Sequence, residues 1–254
     1  MPRKRVRELF RPSGALEGID DIPWRHLDTA YGPASLVPAT LSKLSSRDRA
    51  TVDKGWDDVF EVGLIHQGTV YTATVAAVPF LARITAAPDA HRRPRLILLL
   101  AFFALGSDRP YSPAGTARAV RQAVRDALPL LESVAGATDR ANALAISALS
   151  GAMPFEQQTV RPTVERLFGH ESNKTTRWAL AGAMALFGDR SAAVMDLLEE
   201  AENMSELPVH SQILAWADER QRLVEDDRFL SAARSVQELF VDDANSMDVI
   251  YRAP

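Results

Sequence analysis

The sequence contains no cysteine, and this absence removes several kinds of chemistry at once. Disulfides, thiolate metal ligands and thiol nucleophiles are excluded, and a reducing compartment such as the cytoplasm is consistent with the composition. Histidine is scarce, with five residues, and none of them is paired at helical spacing or lies in an HExxH motif. These patterns give a zinc site little support. We therefore expect no metal and no other cofactor.

Catalytic and nucleotide-binding motifs are missing as well. Neither GxGxxG nor GxxxxGK[ST] occurs, and no serine lies in a GxSxG context. Nucleotide binding by those two routes is therefore excluded. The sequence favours a protein without enzymatic activity over an enzyme, and both remain open.

Long hydrophobic runs are absent. The longest apolar run, Leu96–Leu105, has ten residues, whereas a membrane-spanning helix needs about 20. The N-terminal residues MPRKRVR are basic and have no apolar run behind them, which is not the pattern of a secretory signal. We expect a cytoplasmic protein that does not contact membranes.

Positive charge is not in excess. The formal net charge is -4, and 24% of the residues are charged. A dedicated nucleic-acid-binding domain is usually basic, so this balance disfavours a nucleic-acid partner. The hydrophobic share of 46% is enough to form a large core.

Helical periodicity is the main positive signal. Four glycines end helix-like segments at intervals of roughly 40 residues, which is typical of stacked helical arrays: Gly63, Gly106, Gly151 and Gly188. No run of strands is predicted. Within the helices, Leu36 and Phe60 occupy positions that the apolar pattern assigns to the core. We predict a flexible basic arm over 1–19, a single helical domain over 20–240 and an acidic, frayed tail over 241–254.

One segment carries a family resemblance. Residues 176–189, TRWALAGAMALFGD, followed by Ala192–Leu198, resemble HEAT repeats in their short bacterial form, and 140–168 and 96–133 are weaker copies. The block HQGTVY at 66–71, with AAVPFL at 76–81, is similar to HEAT-like proteins of actinobacteria. The resemblance covers roughly residues 34–240. It implies an all-α, right-handed HEAT-like α-solenoid of about five helix pairs.

The same resemblance implies a binding face. In HEAT-like arrays the second helix of each pair usually lines the concave surface, and here one such helix is 113–135. Arg118, Arg121 and Arg125 share a stripe on it, because they are spaced at i, i+3 and i+7. A row of guanidinium groups suits acidic groups on a partner, although charge on a helix is more often only a solvated face. Arg92, Arg93 and Arg95, in a preceding loop, would either widen the patch or form the ordinary polar surface of that loop.

A second candidate lies in the turn after Gly63. His66 and Gln67, with Tyr71 following them, form a polar cluster that either binds a ligand or fixes the turn by hydrogen bonds to the backbone. The structural role is favoured, because a single histidine without a partner lacks a catalytic mechanism.

Three functions remain open. The leading hypothesis is a non-enzymatic protein-binding module, an adaptor or inhibitor of which a toxin-immunity protein is one form. The alternative is a HEAT-like DNA enzyme of the alkylpurine glycosylase kind. The residues that come nearest to the site of such an enzyme are Trp178, Trp216 and Asp218, although both tryptophans fall at core-like positions. The third hypothesis is a structural subunit of a complex.

Overall fold

The computed structural model describes residues 14–108, 110–131, 140–152, 157–205, 207–218 and 227–252. Its contacts divide the chain into two compact units, unit 1 within residues 1–133 and unit 2 within residues 134–253. The described residues are predominantly helical, which confirms the predicted all-α class.

Unit 1 is built from five α-helices among its described residues. They are α1 (Val37–Leu44), α2 (Arg49–Glu61), α3 (Thr72–Ala86), α4 (Arg93–Ala104) and α5 (Thr116–Ala127). Short 3-10 turns lie at Ile19–Asp21, Trp24–His26 and Leu128–Leu131. The predicted arm over 1–19 is therefore described only from Gly14 onward, where it leads into the first of these turns.

Two small antiparallel ladders accompany these helices. Strand β1 (Asp28–Thr29) pairs with β2 (Gly32–Pro33), and β3 (Ile65–His66) pairs with β4 (Thr69–Val70). The sequence pattern did not indicate them, because two residues are too few to show the alternation that marks a strand.

The core of unit 1 is centred on α3. This helix packs against α1, α4 and α5, and it is buried at most of its positions. It continues through Pro79, which is itself buried within it. Helix α2 packs on α1, and its first turn is capped by Asp48, whose carboxylate accepts a hydrogen bond of 2.8 Å from the Thr51 N–H.

Unit 2 contains seven further helices in the part of it that the structure describes. They are α6 (Arg140–Ala152), α7 (Gln157–His170), α8 (Lys174–Leu186), α9 (Ala192–Ser205), α10 (Val209–Asp218), α11 (Asp227–Asp242) and α12 (Ala244–Arg252).

Helix α8 is the centre of unit 2. It contacts α6, α7, α9, α10, α11 and α12, and nearly all of its residues from Thr176 onward are buried. Its many small residues make this possible: a Cβ added at Gly182 would lie 2.8 Å from the Val236 side chain of α11. Consecutive helices pack as pairs, but α11 and α12 also pack on α6. Contacts in unit 2 are therefore not limited to neighbours in sequence.

The C-terminal segment differs from the prediction. Residues 241–254 were expected to form a frayed acidic tail, yet α12 spans Ala244–Arg252 and buries Ile250 completely. Its first turn is capped by Asp243, whose carboxylate accepts a hydrogen bond of 3.1 Å from the Ser246 N–H. The acidic residue that suggested a solvated tail is thus the helix cap.

Candidate protein-interaction surface

Three connecting segments meet at one end of unit 1, which we call the loop end. They comprise residues 28–36, 62–71 and, among the described residues, 105–108 and 110–115. Backbone hydrogen bonds hold them together: the Ala30 N–H donates to the Gly63 carbonyl at 2.9 Å, and the Val70 N–H donates to the Ser107 carbonyl at 2.9 Å. Short backbone contacts of this kind fix the positions of side chains on neighbouring loops.

The loop end carries exposed hydrophobic side chains. Leu36 directly precedes α1, and Phe60 lies in the last turn of α2, where its carbonyl accepts a hydrogen bond of 3.1 Å from the Gly63 N–H. Among the described residues of unit 1, the large hydrophobic side chains exposed to water are Tyr31 (63%), Leu36 (67%), Phe60 (41%) and Tyr111 (70%). All four belong to, or directly adjoin, the loop end. A grouped set of exposed apolar side chains marks an interaction site more often than scattered ones do.

Tyr31 is held in place by His66. Its hydroxyl lies 3.1 Å from the His66 Nδ1, and the two rings meet edge to face with centroids 5.5 Å apart. His66 begins the turn between β3 and β4, in which Gln67 and Gly68 have φ values of 48° and 75°. Two central residues with positive φ are the signature of a type I′ hairpin turn. Gln67 thus occupies a central position of this turn, and His66 contacts an exposed tyrosine.

Gly63 follows α2 and allows the turn between β1 and β2, which contains Tyr31, to pack closely against the end of that helix. Its φ is +70°, and a Cβ there would lie 2.7 Å from the Ala30 Cβ and 3.0 Å from the Tyr31 ring. Any side chain at this position would push the turn away.

Tyr71 is buried, and it lies close enough to Tyr31 and Tyr111 to interact electrostatically with both. It precedes α3, where its N–H donates to the Thr74 Oγ1 and its carbonyl accepts from the Thr74 N–H, both at 3.0 Å. Burial raises the pKa of the Tyr71 hydroxyl, and proximity to Tyr31 and to Tyr111 raises it further. Tyr71 therefore lies near both residues.

The three arginines predicted as one stripe on α5 do not share a surface. Arg121 is buried, and its Nη1 lies 3.4 Å from the Gly106 carbonyl oxygen, to which it donates. Arg118 is exposed, while Arg125 is half-buried and donates to the Gln122 Oε1 at 3.2 Å. Arg121 borders the apolar face of α5, so its long side chain turns inward.

The arginines predicted to widen that stripe stabilise the other end of α4. Arg92 donates two hydrogen bonds to Asp53, at 2.6 and 2.8 Å, and Arg95 lies 3.5 Å from the same carboxylate. The hydrogen bond from Arg92 lowers the pKa of Asp53 despite partial burial. Arg93 instead donates to backbone carbonyls after α3, including that of Ala87 at 2.6 Å. These side chains bind within unit 1 and are not near Arg118, which follows the opposite end of α4.

The tryptophans considered for a DNA enzyme are core residues. Trp178 and Trp216 are both buried. The Trp178 Nε1–H donates to Glu200 at 3.1 Å, and the Arg190 guanidinium lies 5.9 Å from the Trp216 ring centroid. The side chain of Asp218 lies outside the described part of the chain. Neither indole ring presents a free face on which a base could stack.

Within the described ranges, no group of three or more His, Asp or Glu side chains lies close enough to bind a metal ion. No described helix is long and apolar enough to cross a membrane. Comparisons with protein-family models, with curated proteins and with solved structures found no match in any of the three.

Proposed function

We propose that this chain is a non-enzymatic protein-binding module, an adaptor or inhibitor, whose partner contacts the loop end of unit 1. The observation that carries the proposal is the grouping there of Tyr31, Leu36, Phe60 and Tyr111, all exposed. Tyrosine is enriched at interface hot spots, because it offers a large contact area, few rotatable bonds and one hydroxyl for hydrogen bonding. The underlying loops are fixed by backbone hydrogen bonds, so little conformational entropy is lost on binding.

A protein partner fits this surface better than nucleic acid does. The chain is acidic overall, and phosphate binding relies on clusters of exposed cationic side chains. Of the three arginines first predicted to face a partner, Arg118 is the one that is exposed, and it lies in the first turn of α5, beside the loop end. An acidic group on the partner would meet Arg118 at the edge of the aromatic surface.

The HEAT-like arrangement is part of the same proposal. In unit 1, α1 and α5 flank α3, while Asp53 of α2 is bonded to Arg92 and lies near Arg95 of α4. These contacts support the proposal of one row of helices α1, α3 and α5 beside a second row of α2 and α4, the arrangement that stacked HEAT-like pairs would form. The contacts of α11 and α12 with α6 are the feature of unit 2 that a regular array does not explain.

The test begins with affinity capture from the native host, followed by binding measurements on the purified partner. We expect the double variant Tyr31→Ala, Tyr111→Ala to weaken binding by about 100-fold, since truncating a hot-spot tyrosine removes roughly tenfold or more each. Helicity and the melting temperature should stay unchanged, because both side chains are exposed.

Met204→Ala in unit 2 is the matched control, because Met204 is 67% exposed but far along the chain from the loop end. Its affinity should equal that of the wild type. A double variant that binds the partner as tightly as the wild type would show that the loop end is not the interface.

A further inference from the structure

A second feature of unit 1 lies at the end opposite the loop end. There, a cleft of about 680 Å³ opens between the last turns of α1 and α3 and the segment that precedes the first 3-10 turn. Side chains that line it include Leu16, Glu17, Leu44, Arg47, Ile84 and Asp89. Volumes of this size are typical of pockets for small molecules.

The inner part of the cleft is apolar and rigid. Leu44 and Ile84 are almost completely buried within the packed helices α1 and α3, and Leu16 covers them from one side. Side chains fixed in a packed core keep their positions when a ligand binds, so the apolar floor is already formed.

The mouth of the cleft carries charges of both signs. The Arg47 Nε lies 3.0 Å from the Asp89 carboxylate, and their side chains are 88% and 57% exposed. An ion pair this exposed contributes little to stability, so either partner can exchange it for a ligand at small cost. The backbone at Arg47 is tied to the α3–α4 loop, since its carbonyl lies 2.9 Å from the His91 Nε2.

A further negative group faces the cleft from the third side. Glu17 is exposed there, and its backbone carbonyl accepts a hydrogen bond of 2.9 Å from the buried Arg83, which fixes the segment. The C-terminal end of α1 adds partial negative charge at the same place. Among the described residues that line it, the mouth carries one cation, Arg47, and two carboxylates, Glu17 and Asp89.

We propose that this cleft binds a small zwitterion with an apolar side chain, of which a hydrophobic amino acid is the simplest example. The ligand carboxylate pairs with the Arg47 guanidinium, which can hold it with two parallel hydrogen bonds. Its ammonium group lies between Asp89 and Glu17, and its apolar side chain lies on Leu44 and Ile84. A ligand with only one of the two charges leaves an opposite charge at the mouth without a partner.

The experiment is an NMR titration of the full chain, with ¹⁵N-labelled protein and three probes of similar size. L-leucine carries both charges, 4-methylpentanoate lacks the ammonium group, and 3-methylbutylamine lacks the carboxylate. We expect leucine to shift the backbone amide signals of Ser45–Arg47 and of Ala87, Asp89 and Ala90, and to bind at least about tenfold more tightly than either single-charge probe. No shift with leucine at millimolar concentration, or equal affinity for all three probes, would overturn the proposal.

Single substitutions test the binding role proposed for each charged side chain. Arg47→Gln and Asp89→Asn should each weaken leucine binding by at least about tenfold, and Ala90→Phe, which fills the cleft, should abolish it. The matched control is Arg252→Gln in unit 2, which breaks an ion pair to Asp248 with the same 3.0 Å separation and similar exposure, 80% and 59%. It should leave leucine affinity unchanged. If Arg47→Gln binds leucine as the wild type does, the site assignment is wrong.

Discussion

The carboxylate of Asp243, at the start of α12, accepts a hydrogen bond of 2.5 Å from the hydroxyl of Thr176, in the first turn of α8. Thr175 donates to the other carboxylate oxygen at 2.6 Å, and Ser246 donates through both its N–H and its hydroxyl. Asp243 is almost fully buried, so this one side chain both caps α12 and joins it to the central helix of unit 2.

Replacing Asp243 should therefore destabilise the protein strongly. Asp243→Ala removes a cap and leaves buried hydroxyls without their acceptor, so we expect the free energy of unfolding to fall by about 3 kcal/mol. Urea denaturation followed by circular dichroism measures this change. The neighbouring Asp242 is exposed, and Asp242→Asn should change stability by less than about 0.5 kcal/mol. Equal effects of the two variants would contradict the role assigned to Asp243.

The same carboxylate predicts a dependence of stability on pH. Burial, the largest single influence, would raise the pKa of Asp243, but hydrogen bonds from Ser246, Thr175 and Thr176 together outweigh it and lower the pKa below 3.8. The unfolded chain therefore takes up the proton first as the pH falls. The stabilisation is fully present above the unfolded pKa and is lost as the pH drops through the folded value.

The predicted direction of this pH dependence is checked by measuring the free energy of unfolding against pH for the wild type and for Asp243→Asn. Below pH 3.8, the unfolding free energy of the wild type should fall more steeply than that of the variant. Some slope should remain in the variant, because the hydrogen bond from Arg92 also lowers the pKa of Asp53. Parallel curves would show that Asp243 does not contribute through its charge.

The arginines of α5 should differ sharply in their effect on folding. Arg121 is buried beside the Gly106 carbonyl, so Arg121→Glu places a carboxylate against an acceptor and should lower the unfolding free energy by more than about 3 kcal/mol. Arg118 is exposed, and Arg118→Glu should change stability by less than about 0.5 kcal/mol. Thermal and urea unfolding measure the stability of both variants. Similar stabilities would show that Arg121 lies at the surface.

Two glycines should respond to alanine with opposite signs. Gly188 follows α8 with a φ of 91°, so Gly188→Ala should destabilise by about 1 kcal/mol. Gly169 lies inside α7 with open space around it, so Gly169→Ala should stabilise by about 0.5 to 1 kcal/mol through higher helix propensity. Melting curves of the two variants test this, and shifts in the same direction would contradict the backbone conformations.

Much of the helical framework could be predicted from the sequence. Of the four glycines taken as helix ends, Gly63 and Gly188 do follow helices with positive φ. Gly106 follows α4 for a different reason, because a Cβ there would overlap the Val70 side chain. Gly151 lies inside α6, one residue before its end. Periodicity thus locates helices well, while the reason for each glycine depends on residues distant in sequence.

The candidate surface was harder to predict. Leu36 and Phe60 follow the apolar pattern of α1 and α2 and were expected to be buried, yet both are exposed. Tyr31 and Tyr111 lie among Gly and Pro residues typical of turns, and this is the sequence feature that could have indicated their exposure. The pattern of one helix gives the direction of its apolar face but not whether another element covers every residue on it.

The sequence by itself determined the all-α class, the approximate helix positions and the absence of cysteine chemistry, because these depend on composition and on residues within one or two helical turns. The tertiary structure decided which side chains are buried and which are exposed. Arg121 turns into unit 1, Asp243 joins α12 to α8, and Tyr31 meets His66 at the loop end. Each of these contacts joins residues that are 15 or more positions apart in the chain, and local periodicity carries no information about them.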